Sequence, residues 1–578
     1  MKFLQKLPKS RSFAVLMGCF VVLPTLWAGL FMDDALARVK LLGVKSPWSP
    51  APWWDLYTFA RSDINPTLLA AGHHPWWADP SVKMTFFRPL AALTHHLDYL
   101  LWPHNFPLQH LHSLLWYGLA VFLVATIFQR LHGKGSIAAV VASLVFAVAP
   151  PHTLAVGWLA GRNTIMALVL ACLLFLFHLQ WRKKRGFFWL SIALVTLCVG
   201  FCTSEAILGG VAYITAWQLT KDDAPRHSRW FALLPYIAAV VIWRVLYVKA
   251  GFGAAGTSIY RDPATDFFGA IESLVINFPV LLFGRWFPLP LDLWAILPSV
   301  GRIVFLIVVL LLLAGLLSLF WSLLQKNSTA RFWALGMSLS LLPFTLTVPM
   351  DRLVLFAGPG MAGLVGLLAE SLPQKTRFRK VGVMLLWFHL PVAALIGILR
   401  ASTLLLMLTP GTSGLAQAPK DHLVSSQTFV YVTGTFHRTH YTTLMRKAAG
   451  HPAVPKRAVV LSSMMTSTTI RRVDKHTLVV TPRGGYMLLE LDRIHRRVTK
   501  PFRVGEVVLL PDVKITILRI SKDGRPASVS FRFHLPLEAR SLRWLYVQKQ
   551  KSINPFAMKT TPFQLPKIGQ TVQISPAF

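Results

Sequence analysis

The chain has 578 residues, of which 54% are hydrophobic, and its mean hydropathy is +0.52. Uncharged apolar runs of about 18 or more residues recur along it, and each can cross a hydrocarbon core about 30 Å thick as a helix. This composition excludes a soluble globular protein and predicts an α-helical polytopic membrane protein. The net charge of +36 favours anionic lipid head groups as partners. Nucleic acid is disfavoured, because no nucleic-acid-binding motif is present.

The first predicted span covers residues 12–32 and is followed at once by Asp33 and Asp34. Its apolar core is longer than that of a signal peptide, which favours an uncleaved helix with a cytoplasmic N-terminus. Cleavage at Ala35-Leu36-Ala37 is the alternative. Ionisable groups at a membrane edge are costly and often functional, although an acidic pair can also simply be solvated at a helix end. The basic residues before the span are Lys2, Lys6, Lys9 and Arg11.

Residues 33–107 form a long loop that is rich in Trp and His, including His73-His74-Pro75-Trp76-Trp77. Clustered Trp at this position is typical of the aromatic belt at a membrane interface. Leucines at helical spacing predict an amphipathic helix on the membrane surface over Arg88–Trp102.

The later apolar segments bring the predicted number of spans to about eleven and place the C-terminus outside. Short basic loops such as Trp181–Arg185 and the one that holds Lys375 and Arg377 then all lie in the cytoplasm. Residues 249–301 are predicted to form an outer loop with one interfacial or re-entrant helix near 268–284. The spans after the first are predicted at 108–128, 136–149, 160–180, 187–203, 205–219, 230–248, 302–324, 332–348, 352–371 and 380–404.

The pattern changes after the last span, which gives three predicted domains: 1–404 in the membrane, a linker at 405–426 and a β-rich domain at 427–578. Short β-branched and aromatic runs such as Thr428–Val432 and Ser528–Phe533 alternate with turns such as Asp523-Gly524. Residues 411–578 hold 26 Lys and Arg against 8 Asp and Glu, a net +18 and half of the total charge.

The four cysteines lie in predicted membrane helices without zinc-site spacing, so no disulfide framework is expected. The sequence contains no phosphate loop, no Gly-x-Ser-x-Gly elbow and no His-Glu-x-x-His. No cofactor is identified, and dependence on a divalent metal stays open. The cysteines are Cys19, Cys172, Cys198 and Cys202.

Charged and polar side chains instead gather at the predicted outer ends of the helices. A carboxylate there can act as a general base towards a hydroxyl group, and arginines can clamp a phosphate with charge-assisted hydrogen bonds. Taken singly, each of these residues could merely set the topology; together, at one depth and with both signs of charge, they predict a site. They are Asp33, Asp34, Arg88, His152, Arg162, Glu205, Asp351 and Arg352.

Four stretches, in this order, give the chain a resemblance to integral-membrane glycosyltransferases of the GT-C fold. It most resembles the membrane part of the tetratricopeptide-repeat protein O-mannosyltransferases and their bacterial relatives, over about residues 12–400. The most specific stretch is Pro151-His152-Thr153 to Gly161-Arg162-Asn163, although Leu154 and Asn163 stand where the family has Glu and Asp. The stretches are Phe31–Ala35, Phe87–Leu115, Ala149–Asn163 and Asp351–Gly360.

The resemblance implies an inverting glycosyltransferase that uses a polyprenyl-phosphate-linked sugar. It implies that Asp33 or Asp34 is the base, and that Arg88, Arg162 and Arg352 hold the donor phosphate. His152 and Glu205 are further candidate site residues.

The predicted acceptor is a glycan, lipid or protein on the outer side of a bacterial inner membrane, with the C-terminal domain in the periplasm. A transporter or flippase of lipid-linked sugars and a non-enzymatic membrane scaffold are the alternative functions.

Overall fold

The computed structural model describes residues 8–49, 51–372, 379–408, 418–434, 439, 441–497, 499–554 and 556–576. The chain forms two compact units. The first comprises Met1–Ala28, Phe87–Phe252 and Asp262–Leu405, and the second comprises Gly29–Phe86, Gly253–Arg261 and Leu406–Phe578. The predicted domain boundaries at 404 and 426 stay a prediction; the central part of that linker, 409–417, lies outside the described residues. So do Lys2, Lys6, Lys375 and Arg377 of the predicted basic segments.

The first unit is helical, as predicted, because a chain that crosses lipid must satisfy its backbone hydrogen bonds within each segment. Its longer α-helices are Arg11–Val22, Pro89–Leu101, Phe106–His132, Ile137–Ala147, Arg162–Lys184, Phe187–Phe201, Leu208–Thr220, Leu234–Lys249, Phe267–Trp286, Ser299–Lys326, Ser328–Leu341, Gly358–Ser371, Arg379–Trp387 and Ala393–Leu408. Short α-helices add His152–Gly157 and Arg226–Phe231.

Six helical segments in the described residues are long and apolar enough to cross a membrane, so the protein is a multi-pass membrane protein. Ser299–Lys326 displays many large apolar side chains on its surface, as a lipid-facing helix does. The six segments are Phe106–His132, Leu159–Lys184, Arg226–Lys249, Phe267–Trp286, Val300–Lys326 and Arg379–Leu408.

A helix lies in each of the eleven predicted spans, but the number that cross the membrane stays a prediction. The interfacial helix predicted over Arg88–Trp102 is the observed helix Pro89–Leu101. The helix predicted near 268–284 is present, and whether it is interfacial, re-entrant or a span stays a prediction. It is a helix of 20 residues, Phe267–Trp286, and its length and hydropathy would also allow it to span a membrane.

The second unit contains the predicted β-rich region. Its six-stranded antiparallel sheet has the order β13-β6-β7-β10-β9-β8, and its four-stranded sheet has the order β12-β11-β4-β5 with β4 parallel to both neighbours. A small antiparallel sheet β1-β2-β3 is built from the loop segments. The strands are β1 Thr58–Ala60, β2 Lys83–Thr85, β3 Gly253–Ala255, β4 Thr428–Gly434, β5 Arg457–Ser463, β6 Thr468–Arg472, β7 Thr477–Pro482, β8 Val507–Leu510, β9 Val513–Ile520, β10 Pro526–Phe533, β11 Leu542–Lys549, β12 Met558–Pro562 and β13 Thr571–Ile574. Its α-helices are Asp33–Leu41, Asn65–Ala70 and Thr442–Ala448.

The prediction that the clustered tryptophans form a membrane belt is wrong for Trp76 and Trp77, which are buried in the core of the second unit. Trp76 packs edge-on against Tyr486 and Phe531, with ring centroids 5.0 and 5.9 Å apart. Trp77 donates its indole N–H to the backbone carbonyl of Asp492 at 2.8 Å. Both rings therefore pack in the apolar core beneath a sheet and are not exposed to a lipid interface.

Candidate functional site

Asp33 and Asp34 begin the helix Asp33–Leu41 in the second unit. Met32, just before it, has a φ of +45°, a strained value for a residue with a side chain. Asp34 is only 2% exposed, and its Oδ2 accepts the backbone N–H of Phe31 at 3.0 Å. Its carboxylate thus holds the tight turn closed, whereas Asp33 is half-buried and in part open to solvent.

In the first unit, Arg88 and Glu205 form an ion pair. Arg88 Nε and Nη2 lie 2.9 and 2.8 Å from Glu205 Oε2, and Tyr247 donates its hydroxyl hydrogen to Glu205 Oε1 at 2.7 Å. Both charged side chains keep some exposure, 17% for Arg88 and 25% for Glu205. The structure therefore brings together two predicted site residues that lie far apart in the sequence.

Arg162 is fully buried at the start of its helix and is neutralised by Asp98, with Arg162 Nη1 2.6 Å from Asp98 Oδ2. Its Nε donates to Ser113 Oγ at 2.9 Å, and its Nη2 donates to the Gln109 carbonyl at 2.8 Å. His112 Nδ1 lies 2.6 Å from the second oxygen of Asp98. With its donors satisfied inside the protein, Arg162 is a structural cation in this geometry.

His152 is also fully buried, and it links Tyr117 to Arg285. Tyr117 donates its hydroxyl hydrogen to the Ala147 carbonyl at 2.6 Å, so the 3.0 Å contact between Tyr117 and His152 Nδ1 requires the imidazole to donate. His152 Nε2 is then free to accept from Arg285 Nη1 at 3.2 Å. Both bonds are satisfied by a neutral imidazole that is protonated at Nδ1.

Arg352 lies over the ring of Trp158, with its guanidinium carbon 4.5 Å from the ring centroid, a cation–π arrangement. The adjacent Asp351 forms an ion pair with Arg400, with Asp351 Oδ2 2.6 Å from Arg400 Nη1. Asp351 Oδ1 accepts the backbone N–H of Leu291 at 3.0 Å. Arg400 also donates to the Pro288 carbonyl at 2.7 Å. The Asp351 carboxylate is thereby committed to fixing the backbone at 288–291.

The predicted site residues thus divide between the units. Asp33 and Asp34 belong to the second, and Arg88, His152, Arg162, Glu205 and Arg352 belong to the first. Sequence reasoning missed the roles of Asp98, Tyr247, Arg285 and Arg400. For Arg285 a signal existed, since an arginine at the end of an apolar helix has no acidic neighbour in the sequence to compensate it.

In the part of the chain that the structure describes, no group of three or more His, Cys, Asp or Glu side chains could hold a metal ion. The adjacent pair His73-His74 is used in packing: His73 lies against Trp48, and His74 lies against His495 at ring-centroid distances of 5.6 and 4.3 Å.

No protein-family model matches the chain, and no curated protein matches it. Among solved structures, the chain is similar to the crystal structure of ArnT from Cupriavidus metallidurans bound to undecaprenyl phosphate, at 13% sequence identity and a TM-score of 0.41. The similarity covers 78% of this chain and 89% of that chain.

Proposed function

We propose that the protein is a glycosyltransferase that moves a sugar from a polyprenyl-phosphate donor to a hydroxyl acceptor outside a bacterial inner membrane. The observation that carries the proposal is the Asp33-Asp34 pair. The pair follows the first apolar segment and comes directly after Met32, whose φ of +45° is strained. Backbone strain of this kind persists only where the surrounding structure enforces it, and it is common at functional sites. This is the position at which the GT-C resemblance expects the base.

The two aspartates receive different roles. Asp33 acts as the base, because it is the more exposed of the pair, and Asp34 positions it by closing the turn on the Phe31 amide. Asp33 removes the proton of the acceptor hydroxyl while that oxygen attacks the anomeric carbon of the sugar. The bond from this carbon to the phosphate oxygen breaks, and polyprenyl phosphate leaves with the electron pair. One displacement inverts the anomeric configuration.

The arginines predicted to hold the donor phosphate are not equivalent in their present partners. Arg88 is engaged with Glu205 and Arg162 with Asp98, whereas Arg352 is held against an aromatic face. Among these three arginines, Arg352 is the first candidate to contact the donor phosphate and Arg88 the second, since the Arg88 pair is partly exposed and can exchange partners. Arg162 is assigned to positioning the helices around it.

Asp33→Asn tests the mechanism. Loss of a general base lowers a rate by about 10²–10⁴-fold, so we expect transfer to collapse while the protein still accumulates in the membrane. The measurement is the amount of polyprenyl-phosphate sugar that accumulates in lipid extracts of cells that carry the variant. Asp63→Asn, which removes an exposed carboxylate from the same unit, is the matched control and should transfer normally. Normal transfer by both Asp33→Asn and Asp34→Asn would refute the assignment.

The location of the second unit has its own test. With the native cysteines replaced by alanine, Ser552→Cys in the tail should react with a membrane-impermeant maleimide added to spheroplasts. Asp223→Cys, in a predicted cytoplasmic loop, should react only after the membrane is broken. Both positions are exposed in the structure, so protection of either reports topology rather than burial. The reverse pattern would place the tail in the cytoplasm and would exclude an acceptor on the outer side.

A further inference from the structure

Arg285, near the end of the helix Phe267–Trp286, is a buried cation without a carboxylate to compensate it among the described residues. The residue is 2% exposed, and one hydrogen bond is seen, from Nη1 to His152 Nε2. Because His152 accepts this bond as a neutral imidazole, it does not compensate the positive charge of Arg285. The Nε and Nη2 atoms of Arg285 are buried and have no hydrogen-bond partner in the described part of the chain.

Burying a charge without an ion pair costs free energy, because the guanidinium has lost its hydration and no carboxylate replaces it. The two unsatisfied atoms, Nε and Nη2, carry N–H groups that point in the same direction along one edge of the guanidinium. This edge presents two parallel N–H donors, the geometry that binds two oxygens of a carboxylate or phosphate. The side chain is therefore arranged to receive an oxyanion.

Arg285 lines a small pocket that lies within the first unit. A second polar group there is His389, which is 5% exposed and whose Nε2 is buried and has no hydrogen-bond partner in the described residues. His389 belongs to a single π-helical turn, Phe388–Val392, and such turns are frequent at functional sites. The other walls are apolar and come from Val145, Ala149, Pro150, Pro151, Trp286, Phe287, Pro288, Met361, Phe388 and Ala393.

We propose that Arg285 and His389 bind the phosphate oxygens of a membrane lipid. The two-donor edge of Arg285 selects the oxyanion, and the apolar walls select one that arrives on a hydrocarbon chain rather than free in water. The source best suited to the proposed function is the polyprenyl phosphate of the donor, and this part of the inference depends on that function. The phosphate binding itself does not, since any phosphomonoester lipid would satisfy the same donors.

The test measures binding without turnover. The full chain is placed in nanodiscs of neutral lipid, and a short-chain polyprenyl monophosphate is titrated and followed by native mass spectrometry. We expect Arg285→Gln to weaken binding about tenfold or more, and Arg285→Lys, which keeps the charge but loses the paired donors, to weaken it less. Arg331→Gln, which removes an exposed arginine from the same unit, is the matched control and should bind as the parent does.

Thermal stability without added lipid separates a ligand site from a structural role. If Arg285 awaits an anion, Arg285→Gln should melt at the parent temperature or above it, because an uncompensated charge has been removed. Equal lipid binding by parent and Arg285→Gln, or a much lower melting temperature of the variant, would overturn the proposal.

Two further arms identify the ligand. Competition by phosphatidic acid as strong as that by polyprenyl phosphate would support a general lipid-phosphate site, whereas tight binding of inorganic phosphate alone would refute the lipid requirement. Asp33→Asn should keep full binding. Normal sugar transfer by Asp33→Asn together with lost binding in Arg285→Gln would reject the proposed base and leave the phosphate site intact.

Discussion

Arg162 and Arg285 are two buried arginines of the same unit, and their surroundings differ in one respect. Arg162 meets Asp98 in a close ion pair, and its remaining donors find a hydroxyl and a carbonyl. Arg285 meets a neutral imidazole, and the partners seen leave two of its nitrogens unsatisfied within the described residues. Burial alone therefore does not identify a functional arginine. The presence or absence of a compensating charge separates the two: Arg162 is neutralised within the fold, whereas two donors of Arg285 are left without a partner among the described residues.

We expect the largest effect when Arg162 loses its compensating carboxylate and so resembles Arg285. Asp98→Asn leaves Arg162 buried without a countercharge, and breaking such a pair costs about 3–5 kcal/mol. We expect a fall of that size in the free energy of unfolding, measured by denaturation of the purified protein in detergent.

Asp262→Asn is the control for that experiment, because its partner Arg244 is 38% exposed and a pair near the surface contributes only about 0–1 kcal/mol. Adding Arg162→Met to Asp98→Asn should restore part of the loss, since it removes the stranded charge. If Asp98→Asn costs no more than Asp262→Asn, compensation does not distinguish the two arginines.

The Arg88–Glu205 pair lies between these extremes, since both side chains are partly exposed. Glu205→Gln keeps an oxygen for Tyr247 and loses the charge, so we expect a cost of about 1–2 kcal/mol by the same measurement. Tyr247→Phe removes only a hydroxyl hydrogen bond and should cost about 1 kcal/mol. A cost for Glu205→Gln as large as that for Asp98→Asn would show that this pair is as essential to the fold as the buried one, and that Arg88 is not available to a donor.

Most of the helical unit could be predicted from the sequence, because a long uncharged segment in a membrane has little alternative to a helix. The β-rich tail could also be predicted, because its short β-branched and aromatic runs bounded by turns are typical of strands. Long-range pairing could not. Nothing in the local pattern around Asp98 indicates that it neutralises Arg162, and the Trp76-Trp77 pair satisfies the rule for a membrane interface while it packs under a sheet.

The same limit applies to the site. The resemblance pointed to Arg88, Arg162 and Arg352 as equals, whereas their partners make one a structural cation. For Arg285 the sequence shows only that no acidic residue is adjacent to it, and it does not show that the fold leaves two of its donors unpaired. A sequence lists charges, but the balance of charge at a position is a property of residues brought together by packing.

The last effect, no larger than that of Tyr247→Phe, is predicted at Asp492 in the second unit. Burial raises the pKa of the Asp492 carboxyl to about 6. Between about pH 4, the ordinary value for an aspartate, and pH 6, the folded state binds more protons than the unfolded state, so stability falls as pH rises through this window. The asparagine side chain of Asp492→Asn is neutral at every pH, so the stability of this variant does not fall over that window.

We therefore expect Asp492→Asn to match the parent near pH 4 and to exceed its unfolding free energy by about 1 kcal/mol at pH 7, since partial exposure reduces the full effect. Hydrogen exchange of peptides from β7 and β10, compared with the parent at each pH, measures the difference within the intact chain. Glu490→Gln removes a negative charge that has Arg493 as its partner, 3.6 Å away, and should not reproduce the gain. A gain that is the same at pH 4 and pH 7 would mean that the charge of Asp492 is not its cause, and that carboxylates in this unit do not obey the rule inferred from the two arginines.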